Sequence, residues 1–165
     1  MACYVGLPIA LGEVALVAPD LKHIAQLQVD ADVTESVLHW STQAQNDSSI
    51  IYFAIQQSQM LAGQIFLHDM NAETDEALIG YHLFREALRG RGIGTCALKL
   101  LQAFVIQETK LKKLIIITDK ENVRSQQLAK KCGFQFVGGA WEDPENLMVF
   151  EWVVSRVAHN QTSRV

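Results

Sequence analysis

Arg89-Gly90-Arg91-Gly92-Ile93-Gly94 is the segment whose residue types and spacing point most directly to chemistry. Glycine has no Cβ and enters left-handed backbone freely, so this run can turn tightly and bring main-chain N–H groups close to a ligand. Beyond it, Ile93, Ala97, Leu100, Leu101, Phe104 and Val105 fall on one helical face, which predicts a helix over 90–108. The N–H groups in the first turn of a helix are unpaired, and the dipole adds roughly half a positive charge there. Together these features make an anion site, most naturally for a phosphate or pyrophosphate. Arg89 and Arg91 add local positive charge. A flexible surface turn with two solvated arginines is the plainer alternative. The segment is not a Walker loop, because no G-x-x-x-x-G-K-[ST] occurs. It is not a dinucleotide fingerprint either, because Thr95 stands where another glycine is needed.

The elements that must position this loop follow from periodicity and breakers. Residues 13–18 (EVALVA) read as a strand ended by Pro19, and Asp20 suits the N-cap of a helix carrying Leu21, Ile24 and Leu27. A second helix starts near Thr34. Residues 49–56 and 61–68 form a strand pair joined across Gln-Ser-Gln, and a polar turn at 71–76 leads to a strand over 77–84. After the 90–108 helix, the continuous apolar run 113–119 suits a strand covered on both faces, as in a parallel pair. A helix over 122–132 turns Ser125, Leu128 and Cys132 inward and ends at Gly133. Strands at 134–137 and 147–154 flank a turn at Trp141-Glu142-Asp143-Pro144. The order β-α-α-β-β-β-α-β-α-β-β predicts a mixed α/β fold, with a mostly antiparallel sheet, one parallel βαβ crossover and a closing hairpin. One domain over 1–165 is expected, with its core at about 13–154 and a frayed tail at 158–165.

Composition narrows the function classes. The chain has 165 residues, of which 49% are hydrophobic and 19% charged, and this excludes intrinsic disorder. A net charge of −4 provides no general attraction to nucleic acid or anionic membranes. Cys3, Cys96 and Cys132 cannot close a disulfide framework and lack zinc-site spacing, so a reduced, cytoplasmic, metal-free protein is expected. The apolar start MACYVGLPIALG lacks the basic region of a signal peptide, and no run reaches the ~20 residues of a membrane span. Cys96 falls in the first helical turn after the glycines with no base beside it in sequence, so packing is its simpler role.

At the glycine loop the chain resembles the GNAT superfamily of acyl-CoA-dependent N-acyltransferases, whose pyrophosphate motif is [RQ]-x-x-G-x-[GA]. A second block, Asn122-Val123-Arg124-Ser125-Gln126-Gln127-Leu128-Ala129-Lys130-Lys131-Cys132-Gly133-Phe134, is similar to the family's N-x-x-[SA]-x-x-L-x-x-K-x-G-F. Gly80-Tyr81 on the preceding strand also fits. The resemblance covers roughly 13–154, with its motifs at 80–134, and leans towards ribosomal-protein N-terminal acetyltransferases. It implies acetyl-CoA, or another acyl-CoA, as co-substrate. Main-chain N–H groups of Arg91, Gly92, Ile93, Gly94 and Thr95 would hold the pyrophosphate, with Arg89 at the head of the motif. Backbone at Leu83 and Phe84 would pair with the pantetheine amides like an added strand. Asn122 would bond the pantetheine arm as well as cap its helix, with Ser125 facing the same cleft.

The implied reaction is attack of a neutral amine on the thioester carbonyl, which needs a proton acceptor and an oxyanion donor. The acceptor is a small-molecule amine or a protein N-terminal amine, and the protein a monomer or homodimer. Many relatives carry a tyrosine acid where this chain has Ala129; a thiol is a tolerable leaving group without one, and water or Tyr81 could substitute. The usual glutamate base aligns with Leu78. On the same strand face Glu76 and His82 are the candidates, and His82 has the intrinsic pKa of a base near neutrality. A hydrogen-bonded strand histidine is the bland alternative for His82, and a solvated turn carboxylate for Glu76. Trp40 and Tyr52 are candidates for the acceptor pocket. A non-catalytic acyl-CoA sensor on the same fold is the alternative function.

Overall fold

The apolar runs of the sequence assemble into a single eight-stranded sheet in the computed structural model, which describes residues 9–156. The readings of Cys3, of the first eight residues and of the tail at 158–165 lie outside that range. The strands are β1 (Ile9–Leu11), β2 (Val14–Val17), β3 (Ile51–Gln57), β4 (Met60–Asn71), β5 (Glu76–Leu83), β6 (Lys113–Asp119), β7 (Gln135–Gly139) and β8 (Leu147–Val153), in the order β1-β2-β3-β4-β5-β6-β8-β7. All neighbours are antiparallel except β5 and β6. The mixed fold with one parallel crossover is therefore as the pattern predicts.

Helices α1 (Leu21–Ala25) and α2 (Thr34–Asn46) cover one face, burying Ile24, Val33 and Val37 against Tyr52, Ala54, Phe66 and Phe84. Helices α3 (Ile93–Glu108) and α4 (Val123–Lys131) cover the other, where Ala97, Leu101 and Val105 meet Phe53, Ile65, Leu114 and Phe150. Asp20 caps α1 by accepting the His23 N–H at 3.0 Å. Helix α2 starts at Thr34 with Val33 as its N-cap, and the Thr34 hydroxyl donates to the Asp30 carbonyl at 3.1 Å.

Strand β1 and a 3-10 turn at Glu86–Leu88 are absent from the sequence reading, because three residues are too few to show a period. The β3–β4 hairpin closes through Ser58 and Gln59, both at positive φ (49° and 68°), as a two-residue turn requires. Gly80 makes close packing possible, since a Cβ there would lie 2.3 Å from Phe66 Cζ.

Candidate active site

Parallel strands β5 and β6 pair at only three positions, Glu76–Lys113, Ala77–Leu114 and Leu78–Ile115. Past them, the C-terminal halves of the two strands no longer pair. A cleft of about 990 Å³ opens there, lined by Ile79, Gly80, Tyr81, His82 and Leu83 on one side and Ile116, Ile117 and Thr118 on the other. It joins the two faces of the sheet. Gly90, Gly92, Gly94, Thr95, Asn122 and Ser125 line it at α3 and α4, while Asp32, Ser36, Trp40 and His68 line it at α2.

The glycine loop has the left-handed turns that its sequence predicts. Gly90 and Gly92 sit at φ +72° and +80°, and Gly92 caps α3 with no side-chain hydrogen bond. The first-turn N–H groups of Ile93, Gly94 and Thr95 thus have no side-chain cap at the cleft. Ile93 buries its side chain in the core, so only its backbone is available to a ligand. Arg91 is exposed outside the cleft lining. Arg89 does line the cleft, but its guanidinium is bound elsewhere: Nη1 lies 2.6 Å from Asp32 Oδ2, and Nη2 donates to the Leu83 carbonyl at 3.5 Å.

Phe84 departs from expectation. Its N–H donates to the Ala62 carbonyl and its carbonyl accepts from the Asp30 N–H, both at 2.9 Å. Its backbone is therefore committed within the fold. Strand alternation turns the main-chain groups of His82 and Phe84 towards β4, and those of Tyr81 and Leu83 towards the cleft. An arm added to β5 would meet Tyr81 and Leu83.

Asn122 caps α4, its Oδ1 accepting the Ser125 N–H at 3.1 Å, and it also lines the cleft. Tyr81 Oη donates to Ser125 Oγ at 2.6 Å, and burial pushes the phenol above its ordinary pKa. Ala129, where relatives carry tyrosine, is fully buried. Adjacent on β5, Tyr81 and His82 point to opposite faces of the sheet.

Gln64 Nε2 donates to His82 Nδ1 at 2.9 Å, and Gln64 Oε1 accepts from Tyr52 Oη. Burial, reinforced by the nearby Arg89 charge, lowers the His82 pKa to about 4, so the ring is neutral at pH 7. Tyr52 is buried outside the cleft lining, which corrects its expected place in the acceptor pocket. Trp40 does line the cleft, its ring centroid 4.6 Å from Phe66 and 4.3 Å from His68. Glu76 is a second correction. It lies at the paired end of β5, outside the cleft lining, 2.9 Å from Lys113 Nζ. That hydrogen bond holds its carboxyl below the usual carboxylate range, as a structural ion pair. Gln64 and Asp32 escaped the sequence reading. A lone glutamine inside the apolar run Leu61–Leu67 was the one available signal for Gln64.

Comparison with known proteins agrees with this geometry. A family model described as an acetyltransferase (GNAT) domain matches residues 14–135. The Bacillus subtilis (strain 168) protein named "Putative ribosomal N-acetyltransferase YdaF" is 31% identical over 80 residues, spanning 48% of this chain and 43% of that relative. Two solved structures share the fold. The microcin C7 self-immunity acetyltransferase MccE, in complex with acetyl-CoA and AMP, superposes with a TM-score of 0.69 at 19% identity, over 87% of this chain and 94% of that one. RimL, a ribosomal L7/L12 alpha-N-protein acetyltransferase in complex with coenzyme A, gives 0.72 at 18% identity, over 90% and 98%. With its matched domain covering most of the sequence, this chain belongs to the GNAT acetyltransferase family.

Proposed function

We propose that the protein transfers the acetyl group of acetyl-CoA to a primary amine, of a small molecule or of a protein N-terminus, by direct attack while both substrates are bound. The observation that carries this reading is the through-sheet cleft. It joins an uncapped helix N-terminus, suited to a pyrophosphate, to a stretch of the same cleft lined by Asp32, Trp40, His68 and His82.

The chain's residues fit the co-substrate. Gly92, Ile93, Gly94 and Thr95 would hold the pyrophosphate through main-chain N–H groups, with Arg91 adding charge at the rim. Tyr81 and Leu83 offer outward backbone groups to the pantetheine amides, and Asn122 lies beside them. The co-substrate supplies an acyl group on a good leaving thiol. Tyr81, held by Ser125, lines the cleft and would stand in as proton donor for the missing tyrosine at Ala129. His82 faces the acceptor side as a neutral ring.

A cytoplasmic protein working as a monomer or homodimer, without nucleic acid or membrane, completes this reading. No helix among the described residues is long and apolar enough to cross a membrane. Thermal unfolding with and without acetyl-CoA tests cofactor binding. A concentration 100 times the dissociation constant should add about 2.7 kcal/mol of stability. An unmoved melting temperature at saturating acetyl-CoA refutes the reading.

A further inference from the structure

Tyr52, Gln64 and His82 come from three adjacent strands, β3, β4 and β5, and form a hydrogen-bonded row on one face of the sheet. Gln64 stands directly opposite His82 in the β4–β5 register and is 0% exposed. Tyr52 is 2% exposed.

Counting protons orients the row. A phenol has one proton to donate, and Gln64 Oε1 is the acceptor that Tyr52 Oη has among the described residues. With Oε1 turned to Tyr52, the amide nitrogen faces His82 Nδ1 and donates to it. Reversing the amide would strand the buried phenol proton without an acceptor. Nδ1 is therefore an acceptor, and a neutral imidazole accepting there carries its proton on Nε2. His82 Nε2 has no protein partner among the described residues, yet no buried side-chain nitrogen or oxygen there lacks one. Nε2 is thus accessible, and the space that His82 borders is the cleft. The titratable or charged groups facing this region are Arg89 and Asp32 from the loops, His68 from β4 and Tyr52 from β3.

We infer that Tyr52 and Gln64 are positioning residues that lock His82 in its Nε2–H tautomer, so that it presents a hydrogen-bond donor rather than a base's lone pair to the part of the cleft where amine and acyl group would meet. This deepens the acetyl-transfer reading and rests on it for its chemistry. A preorganised donor there stabilises the charge that develops on the thioester oxygen during amine attack. The carbon–nitrogen bond forms and the carbon–sulfur bond breaks, with its electron pair leaving on sulfur. The amine's surplus proton passes to water in the cleft. The role of base expected for His82 is thereby replaced by that of donor.

The test is a long-range proton–nitrogen spectrum of protein labelled with nitrogen-15 histidine, recorded without acyl donor or acceptor. Its outcome is therefore separate from whether the protein transfers acetyl groups. The chain has five histidines, and comparison with His82→Asn identifies the relevant signals. The expected result is a proton on Nε2, a bare Nδ1 and no titration from about pH 5.5 to 9, below which a depressed histidine would protonate. Tyr52→Phe frees the amide to reverse and should introduce the Nδ1–H form. Gln64→Glu replaces the amide donor by an acceptor and should move the proton to Nδ1. It should also lower kcat about 100-fold, the loss typical of one oxyanion donor, with the KM for acetyl-CoA unchanged. A wild-type His82 protonated on Nδ1, or titrating near its ordinary ~6.5, overturns the inference. A tautomer that survives both substitutions overturns it too, as does an unchanged kcat in folded Gln64→Glu protein.

Discussion

Arg89 Nη1 lies 2.6 Å from Asp32 Oδ2, an ion pair joining the start of the glycine loop to the loop that enters α2. Its neighbours reinforce the join: Glu86 N–H donates to Asp30 Oδ2 at 2.6 Å, and Asp30 N–H to the Phe84 carbonyl at 2.9 Å. Arg89, at the head of the glycine loop, thus ties that loop to the cleft lining beside α2. Arg89→Gln should accordingly raise the KM for the acceptor amine more than the dissociation constant for acetyl-CoA. Calorimetry of acetyl-CoA binding beside acceptor kinetics separates the two. Loss of acetyl-CoA binding with an unchanged acceptor KM would return Arg89 to the phosphates.

Gly92 is at φ +80° at the mouth of α3. A non-glycine residue there is strained by about 1–2 kcal/mol, and a carboxylate would also oppose an incoming phosphate. Gly92→Glu should abolish acetyl-CoA binding while the protein remains folded. Retained affinity in a titration of the variant would show that the loop is not the phosphate site.

The glycine loop, α3 and the Asn122 block were legible because each is local. Gly90 and Gly92 announce positive φ, Ile93 to Val105 keep a helical period, and Asn122 sits one residue before the helix it caps. Tyr81 and His82 were found as candidates, but their separation onto opposite faces becomes consequential only when β5 and β6 part after Leu78. The ion pair of Glu76 is invisible in sequence because its partner Lys113 is far along the chain, on a strand whose pairing only the tertiary fold sets. Phe84 failed because backbone direction depends on its register with Ala62. Gln64, Tyr52 and Asp32 owe their roles to long-range hydrogen bonds, which no spacing rule reveals.

The neutral His82 predicts a definite pH dependence of stability. The folded ring titrates at about 4, and the unfolded one near 6.5. As pH falls, the unfolded chain takes up the proton first. The stability tied to the neutral ring is complete above about pH 6.5, declines as pH falls towards 4 and is constant below, a loss of at most roughly 3 kcal/mol. Urea unfolding of wild type and His82→Gln across this window should show the component in wild type alone. Parallel curves would mean that the ring is not held neutral.

Arg156 closes the C-terminal end of α3. Its guanidinium donates to the carbonyls of Val105, Ile106, Thr109 and Leu111 at 2.8–3.4 Å. These include carbonyls that the end of α3 leaves without helical partners. Arg156→Ala should cost on the order of 1–2 kcal/mol and lower the melting temperature without changing acetyl-CoA affinity. A melting temperature within error of wild type would assign these bonds no net worth.

On the proposed function, one cleft brings acetyl-CoA and an amine together for transfer. Free-thiol release from acetyl-CoA, measured across small amines and peptides with free N-termini and paired with mass analysis of the acceptor, tests it most directly. Thiol release should match acetylated amine one for one for at least one acceptor class and should vanish in Gly92→Glu. Tight acetyl-CoA binding with no thiol released for any acceptor would contradict it and identify the protein as an acyl-CoA sensor.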